Sequence, residues 1–374
     1  QNGCNCLKTN DMIFNSIIPL PFYTAIFYNF ILVLVILAAL HLFNNGYDIG
    51  NLKKKDTLSI SLLLFVILYM GLRPISGAYF GDMGTYSRYF KRYQSGGEII
   101  LTTDMAWHIF MKFCSSIMTV KMFFLVCAFL YTTPLYLATK KWLSQDSYLL
   151  FLMLIASFSF WAYGTNGIRN GIATSLFILG LSYSNKKHLS FSIIILSYFV
   201  HSSIIIPGAA FILSLFYKNS KHYLLGWLLA IPLSIALGGF WESLFMSLGF
   251  GDDRTSYLTD TRFADQFSSA GFRWDFLAYS AAAVFAGYYF IIVKKFEDKV
   301  YIQLFNIYVT ANAFWVLLIR ASFSNRFAYL SWFLMALVIF YPFFKAAFFK
   351  DQPKVLARTI IGYFGFTYFM FLIN

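Results

Sequence analysis

Apolar runs of about twenty residues follow one another along almost the whole of this sequence, separated by short polar turns. A helix needs about 20 mostly apolar residues to cross a ~30 Å hydrocarbon core. In that medium only helices and closed barrels satisfy their own backbone polar groups, and continuous apolar runs lack the period-two alternation of barrel strands. The composition agrees, since 59% of the residues are hydrophobic and 12% charged, against about 25% charged in soluble chains. The expected fold class is all-α, a polytopic integral membrane helical bundle without a large soluble domain.

The runs fall at residues 17–43, 57–72, 119–139, 148–164, 168–184, 189–200, 203–217, 223–246, 276–293, 300–319, 327–349 and 355–373. They predict about 12 transmembrane spans, with a range of about 10–13. No internal repeat, low-complexity tract or linker divides them, so residues 1–374 read as a single transmembrane domain. The two longest outer loops are 73–118 and 247–275. Residues 1–16 lack the basic start, apolar run and small-residue cleavage site of a signal peptide. Cys4, Cys6, Cys114 and Cys127 are too few and too scattered for a disulfide framework or a zinc site.

The formal charge of +13 does not point to nucleic acid, because the cations sit in short turns between apolar runs. Every second turn carries lysines: Lys53, Lys54, Lys55; Lys140, Lys141; Lys186, Lys187; Lys218, Lys221; Lys294, Lys295, Lys299; and Lys345, Lys350, Lys354. The positive-inside rule puts these turns in the cytoplasm. The alternate turns hold Arg73, Arg88, Arg92, Arg169, Arg254, Arg262, Arg273, Arg320 and Arg326, nine of the ten arginines. Orientation alone would use both cations indifferently. Guanidinium is a planar, always charged fork matched to phosphate oxygens, so an outward-facing phosphate or diphosphate ligand accounts for the choice.

Residues 189–217 contain no charge except His201, and at 1.5 Å per residue they run about 43 Å, too long for one upright span. A single tilted helix would reverse the side of every later turn, so the alternation predicts a break at His201, Ser202 and Ser203, below the outer surface. In the first outer loop, Trp107, Phe110, Met111, Phe113 and Cys114 share a helical face beside Asp104, His108 and Lys112, as in an amphipathic helix lying in the interface.

Candidate chemistry gathers at the outer ends. In Tyr163–Ala173 the glycines permit close backbone approach, and Arg169 stands at the start of a span whose first amides favour an anion. Asn166 and Asn170 flank it. Arg73, Arg320, Arg326 and Arg273 are further diphosphate ligands, with Asn325 in the turn between two of them; the competing reading for each is an interfacial anchor. Arg88 and Arg92, next to Lys91, read as a solvated face. His201 and Asp82 are the candidate bases, His201 because its ordinary pKa lies near working pH. Against these stand a histidine that only shapes the turn and an aspartate that caps the following helix. Tyr86 lies one turn beyond Asp82. Asp275 reads as the cap of the span from Phe276, and Asp252 with Asp253 is a weak cation pair. Trp107, Trp161, Trp274 and Trp315 are available to stack on sugar rings, and no metal site is expected.

The segments GTNGIRNGIATSLFILGLSYSNKKHLSFSIIILSYFVHSS (164–203), GLRPISGAYFGDMGTYSRYF (71–90), GFRWDFLAYS (271–280) and NAFWVLLIRASFSNRFAYLSWFLMALVIFYP (312–342) resemble the EpsG family of exopolysaccharide and capsule proteins, in the variety found in Bacteroides-type polysaccharide loci. In that family an Arg-X-Gly segment, an apolar span, a basic turn and a short span ending in His-X-Ser follow in this order. Asn170 stands where the family commonly has Gln. The resemblance implies a GT-C-like fold and a Wzy-type polymerase. A growing glycan on undecaprenyl diphosphate passes to the non-reducing end of a lipid-linked repeat unit, without metal or other cofactor. It further implies a bacterial cytoplasmic (inner) membrane protein with a periplasmic active site, and the charge alternation over twelve spans puts both termini in the periplasm. Its partners would be the undecaprenyl-diphosphate-linked oligosaccharide, membrane lipid and a chain-length regulator. Arginines would stabilise charge on the departing diphosphate. The alternatives are a lipid-linked glycan transporter or flippase, a non-catalytic synthase subunit, and an O-antigen ligase.

Overall fold

The computed structural model describes residues 18–47, 52–99, 104–144, 147–247, 271–321 and 325–373, without the side chains of residues 52–55, 242, 246, 325 and 326. The described residues form helices and turns with no strand. α1 (Leu20–Asn45) and α2 (Leu52–Gly71) lead into three short helices, α3 (Gly77–Phe80), α4 (Met83–Gln94) and α5 (Met105–Ile117). Next come α6 (Val120–Trp142), α7 (Ser147–Ile155), α8 (Phe158–Thr165), α9 (Ile168–Ser182) and α10 (Lys187–Val200). A 3-10 turn at Ser202–Ile204 opens α11 (Ile205–Phe216), followed by α12 (Ser220–Ser247) and α13 (Trp274–Gly287), which continues as a π-helix over Tyr288–Val293. α14 (Lys299–Leu317), α15 (Asn325–Trp332), α16 (Met335–Lys345) and α17 (Gln352–Ile373) complete the order.

Among the described residues, seven helices are long and apolar enough to cross a membrane, and α7 with α8 makes an eighth candidate, bent by 66°. Four shorter apolar helices join them: Asp56–Gly71, α9, α10 and Ser202–Phe216. Every apolar run read from the sequence falls on one of these segments. The chain is thus a polytopic helical membrane protein. Local chemistry sets the ends: the Thr119 hydroxyl accepts from the Met122 amide at the start of α6, and Lys140 and Lys141 sit in its last turn, where the helix dipole favours cations.

The long stretch around His201 is broken as the charge pattern predicts. His201 is extended (φ −154°, ψ 126°), ending α10. The two arms have different neighbours, α10 packing on α9 and α11 on α14. The 14 residues of α10 rise about 21 Å, well short of the ~30 Å core.

The interior cations that make contacts differ between the two ends of the bundle, although Lys91, Lys112 and Lys121 lie at the arginine end and Arg358 at the lysine end. At one end the Lys140 ammonium meets the Asp56 carboxylate at 3.4 Å, and Lys345 donates to the Trp142 carbonyl at 2.7 Å. At the other, Arg73 donates to the carbonyl of Thr165, and Arg169 pairs with Asp104. Between the ends the core is apolar, with α7 at its centre; Leu149 to Ile155 are all buried. A polar knot lies inside it. Asn312 on α14 donates to the hydroxyls of Ser280 (3.1 Å) and Ser331 (2.9 Å) and accepts from the Trp227 indole (2.7 Å). Trp332 also donates to Ser280, at 2.7 Å. The knot ties α12, α13, α14 and α15 together with directional bonds that apolar contact cannot supply.

Candidate functional site

The arginine end is built by α4, α5, the α8–α9 junction and the α10–α11 turn. Residues 73–118, an outer loop to which the sequence assigns helical segments after Asp82 and around Trp107, hold three helices that pack against the bundle or one another. α5 is amphipathic with two apolar faces. Trp107, His108, Met111 and Cys114 turn inward, whereas Met105, Ile109, Phe113 and Ile117 are exposed along the opposite side. Phe113 and His108 therefore change places relative to the expected single face, because α5 packs on the protein and still presents apolar side chains outward.

At the start of α9, Arg169 reaches across to α4 and α5. Its Nε donates to the Tyr86 hydroxyl at 3.1 Å, and its Nη1 to Asp104 Oδ2 at 2.5 Å. Little of either charged side chain is exposed, 15% for Arg169 and 6% for Asp104. The same Asp104 oxygen lies 3.8 Å from His201 Nε2, and its Oδ1 accepts from the Ser202 amide at 3.4 Å. Asn170 Oδ1 accepts from the Ser203 hydroxyl at 2.7 Å. One buried group of charged and polar side chains thus joins three regions far apart in the chain.

His201 has a fixed tautomer in this arrangement. The Ser203 amide points at Nδ1 from 3.1 Å, which requires a lone pair there and leaves the proton on Nε2. The imidazole caps the following turn and faces Asp104 with an N–H. The geometry shows the turn-shaping contact that the sequence offered as the competing reading for His201.

Asp82 occupies the N-cap position of α4, but its side chain makes no capping bond. Its backbone amide instead donates to Asn166 Oδ1 at 2.9 Å. Gly81 precedes it in the left-handed region (φ +51°), where a Cβ would overlap Asn166 at 2.2 Å. Only glycine permits this close approach of α3–α4 to the α8–α9 junction. The Arg-X-Gly glycine, Gly171, likewise serves packing: a Cβ there would lie 2.8 Å from the Tyr163 carbonyl and 3.2 Å from the Tyr131 ring. The sequence suggested a ligand-approach role, but protein atoms occupy that space.

The other predicted residues lie elsewhere. Arg73 is buried, donates to the carbonyls of Met70 and Thr165, and lies 5.4 Å from the Phe80 ring centre. It closes the ends of α2 and α8, where free carbonyls favour a cation. Arg320 donates to the Ile235 carbonyl on α12 at 3.3 Å. Arg273 forms a two-pronged pair with Asp275 (2.9 and 2.6 Å) and lies 3.7 Å from the Phe276 ring centre. Asp275 therefore does not precede its helix as a cap; α13 begins at Trp274, and Asp275 sits in its first turn. Trp315 is fully buried, its ring 5.7 Å from that of Trp332. It fills the core and presents no surface to a sugar. Trp107 and Trp161 are also buried, while Trp274 is exposed. The side chains of Asn325 and Arg326, and residues Cys4, Cys6, Asp252, Asp253, Arg254 and Arg262, lie outside the described residues.

Sequence reasoning missed Asp104, the residue that links Arg169 to His201. An aspartate just ahead of an amphipathic helix reads as an N-cap. Here it adopts a left-handed backbone (φ 50°), makes no side-chain capping bond and reaches Arg169 instead.

Next to this group, buried His108 forms a 2.8 Å hydrogen bond with Tyr93 through Nδ1. Burial lowers its pKa from 6.5, Arg169 lowers it further, and Asp104 opposes. The folded protein thus holds fewer protons than the unfolded chain just below pH 6.5, so stability falls as the pH drops through that point. Thermal unfolding in detergent should show this loss, and His108→Gln should reduce the pH dependence.

No curated protein and no solved structure matches the chain. The family model described as the EpsG family matches residues 56–374, from α2 through every later helix. That match covers most of the sequence and includes each part of the Arg169–Asp104–His201 group, so the chain belongs to the EpsG family.

Proposed function

We propose that this protein is a polysaccharide polymerase, a glycosyltransferase that moves a growing glycan from undecaprenyl diphosphate to the non-reducing end of a lipid-linked repeat unit. The transfer takes place at the extracytoplasmic face of the cytoplasmic membrane. Membership of the EpsG family supports the coarse reading. The finer reading rests on one observation: the Arg169 guanidinium lies among polar groups from three regions, at the arginine end of a bundle whose opposite end carries lysine.

In the transfer, the acceptor hydroxyl oxygen bonds to the anomeric carbon of the donor sugar. The carbon–oxygen bond to the diphosphate breaks, and its electron pair stays on the diphosphate oxygen. Arg169, oriented through its Nε by the Tyr86 hydroxyl, stabilises that growing charge. The hydroxyl proton goes to Asp82, one turn before Tyr86 on α4. His201, whose Nδ1 is already taken by the Ser203 amide, presents an N–H instead. Asn166 and Asn170 brace the two turns beside the reacting groups.

The test is to incubate the purified protein with a synthetic undecaprenyl-diphosphate-linked repeat unit, with and without a chelator, and resolve the products on a gel. A ladder of multiples in both samples is expected. Product confined to the starting unit in both would overturn the assignment.

A further inference from the structure

Arg169 is already occupied by an anion belonging to the protein. Asp104 Oδ2 lies 2.5 Å from Nη1, where a phosphate oxygen would bind, and both side chains are largely withdrawn from water. Asp104 is also held by the Ser202 amide and faces the Nε2–H of His201. It reaches this position from a left-handed backbone and without capping its own helix, so local helix chemistry does not account for it. The exposed ridge of Met105, Ile109, Phe113 and Ile117 on the same helix presents apolar side chains to the surroundings of a membrane protein. A site beside lipid at this end meets anionic phospholipid headgroups, such as phosphatidylglycerol, that carry one net negative charge.

We infer that Asp104 is a specificity-determining residue, a built-in counter-ion that excludes singly charged phospholipid headgroups from Arg169 and gives way to a diphosphate. This rests on the proposed reading of Arg169 as the diphosphate ligand. A phosphodiester brings one charge, must displace a carboxylate of equal charge, and is repelled by it afterwards. A diphosphate brings at least two charges and two sets of oxygens for the fork, so it gains more from Arg169 than the exchange costs. Discrimination then comes from a penalty shared by all anions, which only the more highly charged ligand overcomes.

The experiment uses the full chain in nanodiscs of phosphatidylcholine alone or of phosphatidylcholine with phosphatidylglycerol. Binding of undecaprenyl diphosphate is measured for the wild type, Asp104→Asn, Asp104→Glu and Arg169→Ala, with thermal unfolding as the check on folding. Wild type should bind equally well in both lipids. Asp104→Asn should bind roughly tenfold tighter in phosphatidylcholine and lose that gain when phosphatidylglycerol is present. Asp104→Glu, which keeps the charge, should stay insensitive to phosphatidylglycerol. A folded Asp104→Asn that binds more weakly, or equally in both lipids, overturns the inference, because a merely structural carboxylate predicts loss without lipid competition. Wild-type binding by Arg169→Ala would instead remove the diphosphate reading of Arg169 on which it rests.

Discussion

Replacing Arg169 by alanine should cut polymer formation by about 10²–10³-fold, the effect typical of removing one fixed donor to a developing oxyanion. Arg169→Ala should still reach the membrane at normal levels, because Arg169 lies at the bundle end and not in the apolar core around α7. The product on a gel should collapse to single repeat units. Arg169→Lys should recover little, since an ammonium cannot bridge two oxygens in a planar fork. Full-length polymer from the alanine variant would show that the charge group around Asp104 is structural only. The sequence makes the same prediction for Arg326→Ala, whose side chain lies outside the described residues.

The second large effect concerns stability. Asn312→Leu removes three hydrogen bonds at once and leaves the Trp227 indole N–H without its acceptor inside the bundle. Individual bonds between membrane helices average about 0.6 kcal/mol, so three amount to roughly 2 kcal/mol before any penalty for the stranded donor. Heating in detergent and following the folded fraction by size-exclusion chromatography should show the variant unfolding at clearly lower temperature. Ser331→Ala, which removes one of the three bonds, should fall between the variant and wild type. A folded fraction equal to wild type for Asn312→Leu would mean that tight apolar packing alone holds α12 to α14.

Much of this architecture is legible in the sequence because membrane folding depends on simple quantities. Length and hydropathy locate the helices, and every apolar run finds one. The opposition of Lys140 and Lys345 to Arg73 and Arg169 is equally readable, since helices that alternate direction carry their turns to alternate ends. The break at His201 follows from the same alternation. What is hidden is which neighbour each cation chooses. Arg73 and Arg169 look alike in sequence, yet one fork closes backbone carbonyls and the other meets a carboxylate. Asp104 is 65 positions from Arg169, and no local pattern brings them together. Trp315 illustrates the converse: an aromatic ring near a helix end suits either an interface or a core, and only the approach of Trp332 decides for the core.

The short helices around His201 affect more than the protein. α10, which exposes Ile195, Leu196, Tyr198 and Phe199, is only 14 residues long, so a bilayer matched to it thins by several ångströms at this flank. On the proposed function, such thinning lowers the headgroup of a carrier lipid toward the Arg169 group while its tail stays at ordinary depth. Turnover would accordingly slow in thicker bilayers, which resist that deformation.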